Sequence, residues 1–216
     1  MKDMLRLMSS LALLLLLSGC GGVYYNAMEK IGVHKRDILV DRVAEARDSQ
    51  QETKEQFTSA LEHFTSVINF KGGELEDKYT ELKKELEKSE DQAEDVRERV
   101  AAVEDVADAL FEEWETELDQ YKNANLRQSS EKQLKQTRSH YYKLIGAMKK
   151  AEAKIDPVLD PLRDQVLFLK HNLNARAIAS LQGELTRIET DVSRLIRDMD
   201  AAMKEADSFI QTLKAE

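Results

Sequence analysis

Positions 178, 181, 185, 188, 192, 195, 199, 202, 206, 209 and 213, taken in alternating steps of three and four, read Ile, Leu, Leu, Ile, Val, Leu, Met, Ala, Ala, Phe, Leu. Eleven consecutive positions of a 3.5-residue repeat hold no polar residue. A strand, with its period of two, cannot generate that pattern; a helix burying one stripe along its length does. A second run, from Leu75 through Leu82, Leu86, Ala93, Val96, Val100, Val103, Ala107 and Leu110 to Trp114 and Tyr121, is broken only by Ser89 and Glu117. Trp114 falls on this stripe and is expected to be a core anchor.

The expected fold is all-α: a long antiparallel helical bundle or coiled coil of about four helices. Gly72-Gly73 is expected to close the first helix, since glycine accepts the left-handed conformation past a helix end. Asn123-Ala124-Asn125 should end the second, Ser130 with Gln133 could form a capping box opening the third, and His171-Asn172-Leu173-Asn174 is the candidate third turn. The predicted helices span 26–70, 74–122, 128–171 and 175–214, an up-down-up-down arrangement with short loops. Ile155, Leu159, Leu162, Val166 and Leu169 keep helical spacing across Pro157 and Pro161. The third helix is therefore expected to be kinked at Pro157/Pro161; the alternative is a turn there, with the last helix unbroken from 161 to 214. The first helix carries Leu39, Val43 and Ala46, then polar Gln50 and Thr53, then Phe57, Ala60, Phe64 and Val67. Its polar middle is either a looser section of core or a surface that a partner completes.

Charge adds an orientation. Residues 95–122 hold ten acidic and three basic residues, while 127–154 hold eight basic and two acidic. These segments lie on either side of the turn at 123–126, so antiparallel pairing of the second and third helices is expected. The apolar stripe supplies the stability and the charges select the partner.

The chain opens with Lys2 and Arg6, an apolar run from Leu7 to Leu17, and then Leu17-Ser18-Gly19-Cys20. The run is too short for a permanent membrane span and has the form of a cleavable signal. Leu17, Ser18 and Gly19 ahead of Cys20 resemble the bacterial lipobox, which implies lipidation of the Cys20 thiol and cleavage before it. The expected organisation is a signal peptide at 1–19, a lipidated cysteine and tether at 20–25, and one elongated bundle domain at 26–216. More than one acyl chain, such as palmitate, gives stable anchoring, at about 0.8 kcal/mol per buried CH₂. Gly21 lacks the aspartate that commonly retains Gram-negative lipoproteins at the inner membrane, which implies the outer membrane, with the body facing the periplasm.

Cys20 is the chain's one cysteine. Once lipidated it leaves no thiol for a nucleophile, a disulfide or a zinc-cysteine site. Loss of Lys2, Arg6 and Asp3 with the signal turns totals of 32 basic and 41 acidic residues into 30 and 40, a net charge of −10. That balance is unfavourable for nucleic acid and for lying flat on anionic lipid. His34, His63, His140 and His171 form no metal-ligand spacing, and neither a nucleophile elbow nor a P-loop occurs. No catalytic residue, metal site or cofactor is expected. Tyr24 and Tyr25 either rest at the lipid headgroups or pack as the first layer of the bundle.

The stretches Tyr24 to Asp37 and Phe168-Leu169-Lys170-His171-Asn172-Leu173-Asn174-Ala175 resemble an uncharacterised family of proteobacterial coiled-coil lipoproteins, catalogued as a domain of unknown function. The resemblance covers the mature chain and implies a helical lipoprotein, with no activity or substrate attached. His171, Asn172 and Asn174 are the candidate interaction residues: a polar turn, a buried network or a partner site, of which the turn is the most economical. The expected role is non-enzymatic: an outer-membrane-anchored scaffold, spacer or adaptor for another envelope protein. The alternative is a membrane-surface or membrane-shaping helical module. Oligomeric state is not encoded in any feature of the sequence.

Overall fold

The computed structural model describes residues 24–25, 28–29, 32–69 and 75–215, with the side chains of 175–177 outside the description. Among the described residues five helices have both ends defined: α1 (Lys35–Ile68), α2 (Leu75–Leu118), α3 (Ala124–Glu152), α4 (Ile155–His171) and α5 (Ala175–Ala215). They form four parallel-sided rods, because α3 and α4 are two halves of one. α1 packs on α2 and α5; α3 and α4 each pack on α2 and α5. Each rod therefore has two flanking neighbours, and the core lies between all four. At 1.5 Å per residue, the 44 residues of α2 give a rod of about 65 Å.

The stripe of α5 is inside. Leu181, Ile188, Leu195, Met199, Ala202 and Ala206 are wholly buried, and Val192, Phe209 and Leu213 nearly so; Leu185 is half-buried. On α2 the stripe is buried from Leu82 to Leu110, and then surfaces: Trp114 is half-buried, Glu117 and Tyr121 exposed. Nine stripe positions of α1, Leu39, Val43, Ala46, Gln50, Thr53, Phe57, Ala60, Phe64 and Val67, are all buried. The polar middle of this helix is thus core and not an open partner surface.

The kink lies earlier than the prolines. Ala153 and Lys154 interrupt the rod, and the helix then runs through both Pro157 and Pro161. A proline ring clashes with the carbonyl four residues back and cannot bond to it. For Pro157 that carbonyl belongs to Ala153, so the disturbance appears there. Restarting at Ile155 places Pro157 in a first turn, where backbone N–H groups have no intrahelical acceptor to lose. Ala153 and Lys154 both keep right-handed helical dihedrals, so the chain bends without reversing.

Ion pairs show that register survives the bend. Lys149 meets Glu104 at 2.5 Å, Asp156 meets Arg97 at 2.8 Å and Arg163 meets Glu90 at 2.5 Å. Each step of seven residues up α3–α4 matches a step of seven down α2. With Arg138–Glu115 at 2.5 Å and Arg127–Asp119 at 3.0 Å nearer the turn, these pairs realise the expected antiparallel, charge-matched packing.

Two further boundaries differ from expectation. The third rod starts at Ala124, not at 128, because the Asn123 side chain accepts hydrogen bonds from the N–H groups of Asn125 and Leu126. Ser130 is not a cap; its hydroxyl accepts a hydrogen bond from Trp114 Nε1 at 2.8 Å, tying α2 to α3. α1 begins at Lys35, not at 26, because Gly32 adopts φ +87°. The expected glycine turn at Gly72-Gly73 lies outside the described residues.

Candidate functional site

Three places gather polar chemistry: the N-terminal entry, a buried seam between α1 and α2, and the α4–α5 turn.

At the entry, the Gly32 N–H donates to the Glu29 carbonyl at 2.9 Å and the Val33 N–H to the Met28 carbonyl at 3.1 Å. These two bonds around a left-handed glycine are a Schellman closure of the preceding helical turn. The chain then reverses into α1. Lys35, at the first position of α1, is buried, and its Nζ lies 2.8 Å from both Glu29 and Glu113. Burial pulls the Lys35 ammonium downward, but the hydrogen bonds it donates to the two carboxylates outweigh it and hold the pKa above its ordinary value. The Glu29 carboxyl is held below its ordinary range, chiefly by its hydrogen bond to Lys35. This clamp fastens the N-terminal segment to both α1 and α2.

Tyr25 completes the attachment. It is buried in the main core cluster, while Tyr24, packed edge-on against it at 5.3 Å, is half exposed. Burial raises the Tyr25 phenol, with Asp105 adding to the effect and Arg42 opposing it. Tyr25 therefore sits on the flank of the bundle at the level of Arg42 and Asp105. Of the two readings of this tyrosine pair, packing holds for Tyr25.

The seam is a run of polar residues facing one another inside the bundle. Ser49 donates to Asp95 at 2.6 Å, and Gln56 Nε2 donates to the Glu85 carboxylate at 3.0 Å and to Ser89 Oγ at 3.3 Å. Glu85 is desolvated, which raises its pKa, but bonds from Lys88 and Gln56 prevail and keep it below the ordinary carboxylate range. Thr53 turns back on its own helix, donating to the Ser49 carbonyl at 2.8 Å. Gln50 is wholly buried, and neither its amide oxygen nor its amide nitrogen has a hydrogen-bond partner among the described residues. The seam was legible only as a gap in the α1 stripe; nothing in the spacing identified its partners on α2.

At the α4–α5 turn, Asn172 caps α4: its N–H donates to the Leu169 carbonyl at 3.0 Å and its side-chain nitrogen to the Phe168 carbonyl at 3.0 Å. The Asn174 N–H donates to the Asn172 carbonyl at 2.9 Å, and the Asn174 carbonyl accepts from Ile178 at 3.3 Å, starting α5. His171 is exposed at the end of α4. The asparagines serve the turn itself. Cys20 and the lipobox residues Leu17, Ser18 and Gly19 lie outside the described residues. Among the described residues no group of acidic, histidine or cysteine side chains is arranged to hold a metal ion, and no helix is long and apolar enough to cross a membrane.

This architecture is that of a helical-bundle protein of a defined sequence family. The profile of the family described as "Protein of unknown function (DUF2959)" matches residues 24–213, and the chain belongs to that family. Comparison with curated proteins finds no match.

Proposed function

We propose that this protein is a lipoprotein of the Gram-negative outer membrane, held by acyl chains on Cys20 and facing the periplasm. There it acts as a helical scaffold, spacer or adaptor for another envelope protein and carries no catalytic centre. The observation that carries the reading is the join between tether and rod. Tyr25, Glu29 and Lys35 lock the N-terminal segment against the bundle five residues after Cys20. A short tether fastened to a rod about 65 Å long holds a large, acidic helical surface at a fixed place relative to a membrane. The seam supports a structural role as well, since its carboxylates Asp95 and Glu85 are bonded to Ser49 and Gln56 across α1 and α2.

The test combines anchoring with partner capture. Labelled palmitate should enter the wild-type protein, and Cys20→Ala should block both labelling and processing. A chain starting at Gly21 behind an ordinary secretory signal should leave the membrane fraction. Retention of that chain after a high-salt wash would remove the anchoring argument. Crosslinking in intact cells should then recover a discrete envelope protein with the anchored form; recovery of lipid alone would favour a membrane-surface module.

A further inference from the structure

Two outward stripes run side by side on one face of the rod, and they carry opposite charge. Positions 91, 94, 98, 101, 105, 108, 112 and 115 of α2, in alternating steps of three and four, are all exposed; seven are acidic and the eighth is Ala101. Positions 132, 135, 139, 142, 146 and 149 of α3 keep the same period and are also exposed; they hold three lysines, Ser139, Tyr142 and Gly146, and no acid. Such steps keep residues on one side of a helix. Each stripe borders the other helix: Glu115 of the first pairs with Arg138 of α3, and Lys149 of the second with Glu104 of α2, both at 2.5 Å. The same two pairs set the height of one stripe against the other. Exposed Lys143, beside the α3 stripe, is level with the gap between Asp108 and Glu112.

Much of this charge is unanswered within the chain. Asp105, Asp108 and Glu112 on α2, and Lys132 and Lys143 on α3, form no ion pair with another described residue. Like charges three and four residues apart repel, so the α2 stripe costs the isolated chain stability. Tyr142, 64 % exposed, stands between Lys135 and Lys149 at the middle of the α3 stripe. A rigid ring with a hydroxyl at its tip is the kind of side chain that interfaces favour. Beyond the bend at Ala153 and Lys154 the pattern changes. There α4 presents Asp156 and Asp160, already bonded to Arg97 and Arg163. The complementary stretch is therefore the half of the rod beside the α2–α3 turn, about 20 Å long.

We propose that this face is the contact surface of a parallel homodimer, in which α2 of each copy lies against α3 of the other. A second copy is the occupant that answers both stripes at once, because a two-fold interface uses the same surface twice. Charge also selects the orientation. With the two-fold axis along the rods, acidic α2 meets basic α3 of the partner at the same height, on both sides of the axis. With the axis across the rods, α2 meets α2 and α3 meets α3, acid against acid and base against base. The parallel arrangement brings both N-terminal entries to one end, as two chains tethered to one membrane would stand; the pairing itself does not rest on the anchor. A stretch this short buries less than a standard interface, so the dimer is weak, sensitive to salt and favoured where chains are confined together.

The test uses the full chain in intact cells, with Asp105→Cys in one tagged copy and Gly146→Cys in a second, differently tagged copy. Gly146 is level with Ala107, so the two sites differ in height by about 3 Å. A side chain added at Gly146 meets nothing within 4 Å. Oxidation should join residue 105 of one copy to residue 146 of the other in preference to either like pair, with peptide mapping to recognise any product through Cys20. Lys132→Glu with Lys143→Glu in both copies should abolish that product at an unchanged melting temperature, since neither lysine serves an ion pair of its own chain. Adding Asp108→Lys with Glu112→Lys should restore it. An excess of like-to-like disulfides, no disulfide between copies, or disulfides to a different protein alone would each overturn the proposal. If the charge-reversed chains fail to fold, the ratio of mixed to like products in the unreversed chain decides the question by itself.

Discussion

α5 and α1 are neighbours in the same bundle and bury stripes of similar length, but they do it with opposite chemistry. The α5 stripe is apolar from Ile178 to Leu213. The α1 stripe places Gln50 and Thr53 in the core with no exposed surface, and α2 answers with buried Ser89 and Glu85. Removing apolar area from water stabilises without regard to direction, so α5 contributes stability but tolerates sliding. A buried polar group stabilises only when its partner is in place, so the α1–α2 seam contributes little energy and fixes register. One side of the bundle supplies cohesion and the other alignment.

The largest effect should come from the apolar side. Leu195→Ala removes a wholly buried side chain and should lower unfolding free energy by about 2–5 kcal/mol, read from denaturant midpoints. Leu185→Ala, at a half-buried position, should cost less, and Glu189→Ala and Arg194→Ala, both exposed, should change little. Equal losses at all four positions would break the assignment of the α5 stripe.

The seam should respond in the opposite direction. Gln50 hides a full amide with no partner among the described residues, and methionine has the same unbranched length. Gln50→Met should raise stability by about 1–3 kcal/mol by removing a desolvated polar group. If the seam sets alignment, the same variant should loosen it: a disulfide scan between α1 and α2 should find several registers where the wild type gives one. A variant that is both less stable and still in a single register would assign Gln50 a satisfied role and erase the contrast.

These two regions also explain what could be read from the sequence. α5 was legible because one helix carries the whole signal in a single unbroken period. The seam was not, because Gln56 is explained only by Glu85 and Ser89, and Ser49 only by Asp95, on another helix. Composition and spacing on α1 alone show only where apolar residues are missing. The kink was visible but misplaced, since Pro157 acts on the Ala153 carbonyl one turn earlier. The entry at Lys35 was missed although its sign was present: Gly32 followed by an apolar Val33 is the signature of a Schellman closure. The turn at His171 to Asn174 was read from local pattern, and local geometry accounts for the Asn172 cap.

The smallest effects belong to the charged flank between α2 and the α3–α4 rod, which helps alignment without burial. Not every charge there faces the opposite helix. Lys135 pairs with Glu131 on its own helix and Glu113 with Lys35 of α1, whereas Arg138 and Lys149 reach Glu115 and Glu104. Exposed pairs of this kind contribute about 0–1 kcal/mol each. Arg138→Glu with Lys149→Glu should therefore lower the melting temperature modestly at low salt, and much of the loss should return at about 1 M salt, where the Debye length falls to about 3 Å. Adding Glu115→Arg and Glu104→Lys should restore the wild-type value, because the crossed pairs regain opposite signs at the same eleven-residue spacing on both helices. Lys135→Glu should show no rescue by any substitution on α2, since its partner lies one turn away on α3. Rescue of Lys135→Glu from α2, or none for the Arg138 and Lys149 pair, would mean that the flank aligns the rods through backbone packing and not through charge.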